Sequence, residues 1–451
     1  MKKTVIFILL QFGVSQIIFA QKYTELLGRP TNTSVTVNIL VDQNVDVYWE
    51  YGLTEGNLNA KSTVYQVTKD TPFAFEMTKL DPNKQYFYRL RYRLSGKTDA
   101  YQSGQVHSFH TQRAVGSSFT FAVEADPHMD DKSIPAAYKL TLQNILSHKP
   151  DFMIDLGDVT MIDKQPAINQ EVITERNIMY RNYYSEVCHS VPLYMVIGNH
   201  DGEFGWRTNG KENNMPVMSA NTRKLYYPNP EPNAFYSGNN IPEKNVGLLQ
   251  DYYSWQWGDA LFIVLDPYWY TKQKTGWGWT LGNDQYNWLQ QILATSKAKY
   301  KFVFAHQLVG GTEKDGRGGS EFAHLFEWGG YNQDSTWGFK ANRPNWSKPI
   351  HNLLVNSKTN IFFHGHDHLY AKQEKDGVIY QDVPQPAASN ISRITGTEYG
   401  YVKGILLPAR GFLLISVSNA GVKVEYVNTY LQNEERTDKK NGSIGDTYWV
   451  H

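Results

Sequence analysis

Between residues 23 and 111 apolar and polar side chains alternate. Ser34-Val35-Thr36-Val37-Asn38-Ile39-Leu40-Val41 and Val45-Asp46-Val47-Tyr48-Trp49-Glu50-Tyr51-Gly52 both carry this period, which predicts strands with one buried face. Leu80-Asp81-Pro82-Asn83-Lys84-Gln85-Tyr86-Phe87-Tyr88-Arg89-Leu90 reads as a turn running into a strand, with Tyr86 placed to reach back to the turn. Residues 105–111 supply a closing strand, and a short polar, glycine-containing connector follows at 113–118. The pattern then changes. Mostly apolar runs at 119–123, 152–156, 193–197, 260–265, 302–304 and 361–363 alternate with amphipathic stretches such as 136–146 and 285–295. Such runs predict strands covered on both faces, as in layered α/β folds. Residues 215–258 and 310–346 read as long loops. Residues 411–418 and 421–430 read as two more strands, and the chain from 433 to 451 as a polar tail.

The N-terminus has the layout of an export signal. Lys2 and Lys3 precede an apolar run over residues 5–19, and Ala20 stands before Gln21, predicting cleavage after residue 20. Gln11, Ser15 and Gln16 interrupt the run, which is short for a spanning helix, so no stable membrane anchor is expected. Gln21 also stands where a lipid-anchored bacterial protein would need Cys. Cys188 is the only cysteine, which rules out an intramolecular disulfide. Export without disulfides points to a bacterial-type periplasmic or secreted protein.

Composition changes the picture in two respects. A chain of 451 residues predicts two folded units rather than one. Lys plus Arg and Asp plus Glu are 44 each, giving zero formal charge, and no basic stripe is present, so no nucleic-acid partner is expected.

Candidate chemistry gathers where the apolar runs end. The first run ends in Glu124-Ala125-Asp126-Pro127-His128, the second in Gly157-Asp158, and the third in Gly198-Asn199-His200-Asp201. The last two end in His306 and in Gly365-His366-Asp367-His368. In open α/β sheets that edge is where sites are built. Imidazole and carboxylate ligands suit Zn, Fe or Mn better than Ca or Mg, and there are too many for a single ion. A carboxylate shared by two ions would explain the number, in the manner of two-metal centres that clamp a displacement at phosphorus.

The order Asp-x-His, Gly-Asp, Gly-Asn-His-Asp, His, Gly-His-x-His resembles the calcineurin-like metallophosphoesterases from residue 119 to about 430. The Leu-x-Pro-x-x-x-Tyr turn resembles the tyrosine corner of fibronectin type III sandwiches. Together the two regions are similar in layout to purple acid phosphatases. The resemblance implies an α/β catalytic domain over 118–432, a layered β-sandwich flanked by helices, preceded by an all-β fibronectin III-like sandwich over 21–113. It also implies that Asp126, His128 and His368 hold one divalent ion, that Asn199, His306 and His366 hold a second, and that Asp158 bridges them. His200 would assist the leaving group, steadied by Asp201. One position departs from purple acid phosphatases: Met161 stands where their iron-binding Tyr, three residues after the bridging Asp, is expected. The violet colour of those enzymes is therefore not expected, and the metal pair stays open among Mn, Fe and Zn.

The implied activity is hydrolysis of small phosphate esters by in-line attack of an activated water. A monoesterase is the first reading and a diesterase on the same site the second. A non-catalytic binding protein retaining the fold is a remote third, disfavoured by the intact ligand set. Arg317 and Arg223 are candidates for gripping substrate phosphate, with a solvated role equally open for each. Asp155 is expected to support Asp158, while His364 is either structural or supporting. His107 and His189 read as surface or packing residues. Trp255, Trp257, Tyr268, Trp269, Tyr270, Trp277 and Trp279 read mostly as core.

Overall fold

The computed structural model describes residues 22–308 and 316–451; the predicted signal segment at 1–20 lies outside the described residues. The N-terminal unit is a two-sheet sandwich. Tyr23–Gly28, Val35–Val41 and Phe73–Met77 form one face, and Val45–Gly52 and Gln85–Leu94 lead the other. The alternation in these strands places Val37, Trp49, Tyr88 and Leu90 in a shared core. Trp49 Nε1 donates to Glu25 Oε1 across the sandwich at 2.7 Å. The tyrosine corner is present: the backbone N–H of Asp81 donates to the Tyr86 hydroxyl at 2.9 Å.

From residue 119 onward, a pair of sheets packs face to face. One carries Phe119–Glu124, Met153–Asp155 and Leu193–Met195 in parallel, with Gly411–Ser418 and Gly421–Asn428 antiparallel beyond them. The other carries Ala260–Val264, Tyr300–Phe304, Ile361–His364 and Val378–Asp382 in parallel. Their inner faces meet in an aromatic core that includes Phe121, Phe152, Phe262, Phe302, Phe304 and Phe363. Phe121 and Phe262 meet edge-on at 5.1 Å between centroids, and Phe304 stacks on Phe363 at 5.0 Å. Helices cover the outer faces. Pro135–His148 and Gln170–Tyr184 lie over the first sheet, and Asn283–Thr295 and Ile350–Asn356 over the second. Each strand is thus buried on both sides, which is why the sequence shows runs rather than alternation.

Three expectations are corrected. The stretch 215–258 is not loop throughout: Met215–Tyr226 is a helix whose cap, the Asn214 side chain, accepts from Val217 N, and Tyr253–Trp257 is a strand. Pro216 is tolerated because it falls in the first turn, where the missing N–H would have no intrahelical partner. The polar tail is also structured, since Ile444–Val450 pairs with Gly421–Asn428 and extends the first sheet. Finally, the two units share one sheet. Tyr23–Gly28 runs parallel to Leu193–Met195, meeting it at Gly28 and Leu193, so the order passes unbroken from Ile444–Val450 to Phe73–Met77. Arg181 fixes this seam, donating from a fully buried guanidinium to Thr24, Asn38 and Tyr226. The His107 and His189 rings meet across it, tilted by 31° with centroids 4.0 Å apart.

Candidate metal centre

The loops after five strands converge on one point, and the motif glycines allow it. A Cβ on Gly198 would collide with the backbone N of Asp158, and one on Gly365 would sit 2.5 Å from Asp126 Oδ2. The backbone is strained there as well. Asp126, His128, Asp158, His366 and His368 all hold positive φ, between 54° and 73°, at about 1–2 kcal/mol each for an L-residue. Five such residues in one site indicate a geometry imposed by the surrounding fold.

Each carboxylate spends one oxygen on the protein and turns the other inward. Asp126 Oδ2 accepts from the N–H of His366 at 2.8 Å, and Asp158 Oδ1 from that of His200 at 2.7 Å. Among the described residues, Asp126 Oδ1, Asp158 Oδ2, His128 Nε2 and His368 Nε2 are buried with no hydrogen-bond partner. Orphaned buried atoms of this kind are costly, and here they all face the same place. His306 Nδ1 donates to the Leu156 carbonyl at 2.9 Å, which presents Nε2 to the centre.

Two groups result, Asp126 with His128 and His368, and Asp158 with His306 and His366, with ligand atoms inside each group within 4.8 Å of one another. Asp158 Oδ2 lies between them, 3.5 Å from His128 Nε2 and 3.2 Å from His306 Nε2. Asn199 Oδ1 joins the second group at 3.0 Å from His306 Nε2. Metal bonds to N and O ligands run about 2.0–2.2 Å, so ligand atoms on one ion should stand roughly 3–3.5 Å apart. The donor set fits a pair of divalent cations, and all seven residues expected as ligands are brought together.

The electrostatics agree. Burial would raise the carboxyls, but His306 and His368 beside Asp126, and His306 and His200 beside Asp158, hold both below the usual carboxylate range. His306 responds in kind: burial alone would lower it, yet Asp158 and Asp126 push it up to about 9. Negative charge is thus concentrated where cations would be received.

His200 stands beside the centre, with Nε2 3.9 Å from Asp158 Oδ2. Its expected support is corrected. Asp201 does not touch the ring; its carboxylate accepts from the backbone N–H groups of Asp158, Val159, Thr160 and Gly198 at 2.8–3.0 Å. Asp201 therefore shapes the loop that carries Asp158. Asp163 holds His200 instead, at 2.8 Å from Nδ1. The sequence signal was an acid five residues after Asp158 in the same loop. Arg176 was also missed; it donates to the carbonyls of Thr160 and His128 and ties two site loops together.

Arg317, for which a phosphate-binding and a solvated role were both open, lines the cleft. It donates to the His366 carbonyl, approaches Asp367 Oδ1 at 3.4 Å and sits 4.7 Å over the Tyr399 ring. Arg223 does not lie there. It is 4% exposed and clamps Glu203 through Nε and Nη2 at 2.6 and 3.0 Å, with the Leu249 and Gln250 carbonyls taking further N–H groups. A guanidinium so enclosed cannot meet a substrate. Asp155 supports the bridging loop from below, accepting from Gly157 N and the Tyr184 hydroxyl. His364 is buried behind the centre, where burial lowers it to about 4. Among the aromatics, Trp255, Trp257, Tyr268, Trp269 and Trp279 are buried.

His128, His200 and His368 open onto a cavity of about 690 Å³, lined also by Lys132, Lys164, Arg317 and Tyr399. Two facing sheets with a ligand cluster of this kind at their loop edge define a metallophosphoesterase, a metal-dependent hydrolase of phosphate esters. Residues 119–370 match the calcineurin-like phosphoesterases, and the chain belongs to that family. The fold is similar to the structure of PhoD, with TM-score 0.65 and 16% identity over 94% of this chain and 90% of that one. It is also similar to a purple acid phosphatase from yellow lupin (Lupinus luteus) seeds, with TM-score 0.62 and 14% identity over 95% and 74%. At these identities the likeness is one of fold. No curated protein matches the sequence.

Proposed function

We propose that the chain is an exported phosphomonoesterase acting on small phosphate esters, with Asp126, His128 and His368 holding one divalent cation and Asn199, His306 and His366 a second. Asp158 would be shared between the two, and the ions would be Mn, Fe or Zn. The observation that favours a monoester is the charge around the cleft. Lys132, Lys164 and Arg317 line it, whereas of its two non-ligand acids Asp130 is turned toward His128 at 3.5 Å. A monoester carries one more negative charge than a diester at neutral pH and gains more from such walls.

When bound, the two cations supply a water-derived nucleophile at neutral pH and offset charge on the phosphoryl oxygens. The protein's own groups do the rest. His200, fixed by Asp163 at Nδ1, presents Nε2 to the departing oxygen and delivers a proton there. Arg317 lines the same cavity, held in place by Asp367 and Tyr399, and would grip the phosphoryl group. Met161, 3% exposed, stands three residues after Asp158, where purple acid phosphatases carry the iron-binding tyrosine, so an iron-loaded form should lack their violet colour.

The deciding experiment compares aryl phosphate monoesters and diesters after chelation and after readdition of single metals. Activity lost on chelation, restored by one metal and higher on the monoester is the expected result. A much higher kcat/KM on the diester overturns the monoesterase assignment. Export is tested separately by N-terminal sequencing of the mature protein, which should begin at Gln21. No helix among the described residues is long and apolar enough to cross a membrane.

A further inference from the structure

The proton donor fixes the side of the cleft on which the alcohol departs. His200 Nδ1 is committed to Asp163 at 2.8 Å, so Nε2 is the atom that meets the leaving oxygen. Asp163 sits in the short turn Ile162–Lys164, and the next residue, Lys164, lines the same cavity as His200. The Lys164 ammonium is 3.9 Å from Asp163 Oδ2, and the side chain is 57% exposed. An open contact at that distance is worth little, so the lysine can turn to a ligand at small cost.

Asp163 is the acid beside Lys164, and its carboxylate is committed to His200. Asp130 approaches His128 and accepts from the backbone N–H of Lys132, on the side of the first ligand group. A departing alcohol therefore meets a lysine beside the proton donor. The cavity, at about 690 Å³, lies within the range of pockets that enclose a whole small molecule, so the alcohol has room inside it.

We propose that the natural substrate is a phosphate ester whose alcohol portion carries a second anionic group, a carboxylate or a further phosphate, and that Lys164 reads that group. This rests on the monoesterase reading of the same site. A paired charge at about 4 Å in a solvated cleft gives a preference of about fivefold, which declines as salt is added.

The test uses the metal-loaded mature chain and three esters of similar alcohols: glycerol phosphate, phosphoglycerate and glycerol bisphosphate. The ratio of kcat/KM for each anionic ester to that for glycerol phosphate should be about five in the wild type. It should fall to about one in Lys164→Gln and below one in Lys164→Glu. Which of the two anionic esters shows the larger ratio separates carboxylate from phosphate. Lys132→Gln removes an equal charge beside Asp130, on the side of the first ligand group, and should keep most of the wild-type ratio. A wild-type ratio of one, an unchanged ratio in Lys164→Gln, or equal losses in both lysine variants overturns the assignment. Calorimetric affinities for phosphonoacetate against methylphosphonate give the same comparison without turnover. If no monoester is hydrolysed but phosphonoacetate still binds more tightly through Lys164, it is the monoesterase reading that fails and not this one.

Discussion

Asp163 Oδ1 and Oδ2 lie 2.8 and 3.0 Å from His200 Nδ1, so one carboxylate sets both the ring plane and the tautomer of the residue beside the metal centre. Asp163→Asn keeps the size of the side chain but removes its charge. Turnover of an alkyl phosphate should fall about a hundredfold, and turnover of nitrophenyl phosphate, which needs little proton transfer, by less than about tenfold. His200→Ala should show the same dependence on leaving group, and the double variant little further loss. Equal losses on both esters would mean that Asp163 acts on the fold and not through His200.

Asp158 Oδ2 lies within 3.5 Å of one histidine from each ligand group, His128 and His306. Asp158→Ala should therefore lower metal content from two ions toward one or none, and abolish activity, while Asp201 still organises the loop backbone. Metal analysis of the purified variant alongside a turnover assay reads both effects. Two ions retained with full turnover would refute the bridging role.

Arg223 and Glu203 form an enclosed ion pair. Removing one partner strands the other charge, at about 3–5 kcal/mol. Arg223→Ala should unfold at much lower urea concentration while the fraction that remains folded keeps the wild-type KM. A raised KM with unchanged stability would restore Arg223 to the substrate.

Glu25 is 3% exposed and sits in the strand shared by the two units. Burial pushes its carboxyl from 4.5 up to about 7, against the downward pull of the Trp49 indole and of Arg181. The folded state then binds a proton that the unfolded state has released. This contribution is complete below about 4.5 and is lost as pH rises through 7, a swing of roughly 3 kcal/mol. Glu25→Gln retains an acceptor for Trp49 Nε1 and should flatten the stability profile between pH 5 and 8. Urea midpoints across that range provide the measurement; an unchanged slope would place the titration elsewhere.

The candidate ligands were legible because they cluster after strands buried on both faces, and such strands announce themselves as apolar runs. Asp126, Asp158, Asn199, His306, His366 and His368 could be read as strand-end residues before any geometry was known. Asp163 could not, since an acid in a turn is ordinarily solvated. Only the backbone path from Asp158, with Met161 in the left-handed region, brings it under His200. Arg223 misled for a related reason. Its partner Glu203 is twenty residues away in sequence, and nothing in the local pattern tells an inward guanidinium from an outward one. The strand Ile444–Val450 was hidden because it lies at an edge, where half its residues face solvent and the apolar period is too sparse to stand out.

The sheet that passes from Ile444–Val450 to Phe73–Met77 makes the N-terminal sandwich more than an appended module. Its strand Tyr23–Gly28 lies against Leu193–Met195, the strand that leads into Asn199 and His200, and Leu27 donates its N–H to the Cys188 carbonyl just before that strand. Without the sandwich, the strand that leads to Asn199 and His200 would become a bare edge, open to pairing with another chain. The N-terminal unit thus acts as a wall for the catalytic sheet, and the chain should be produced, crystallised and engineered as one piece.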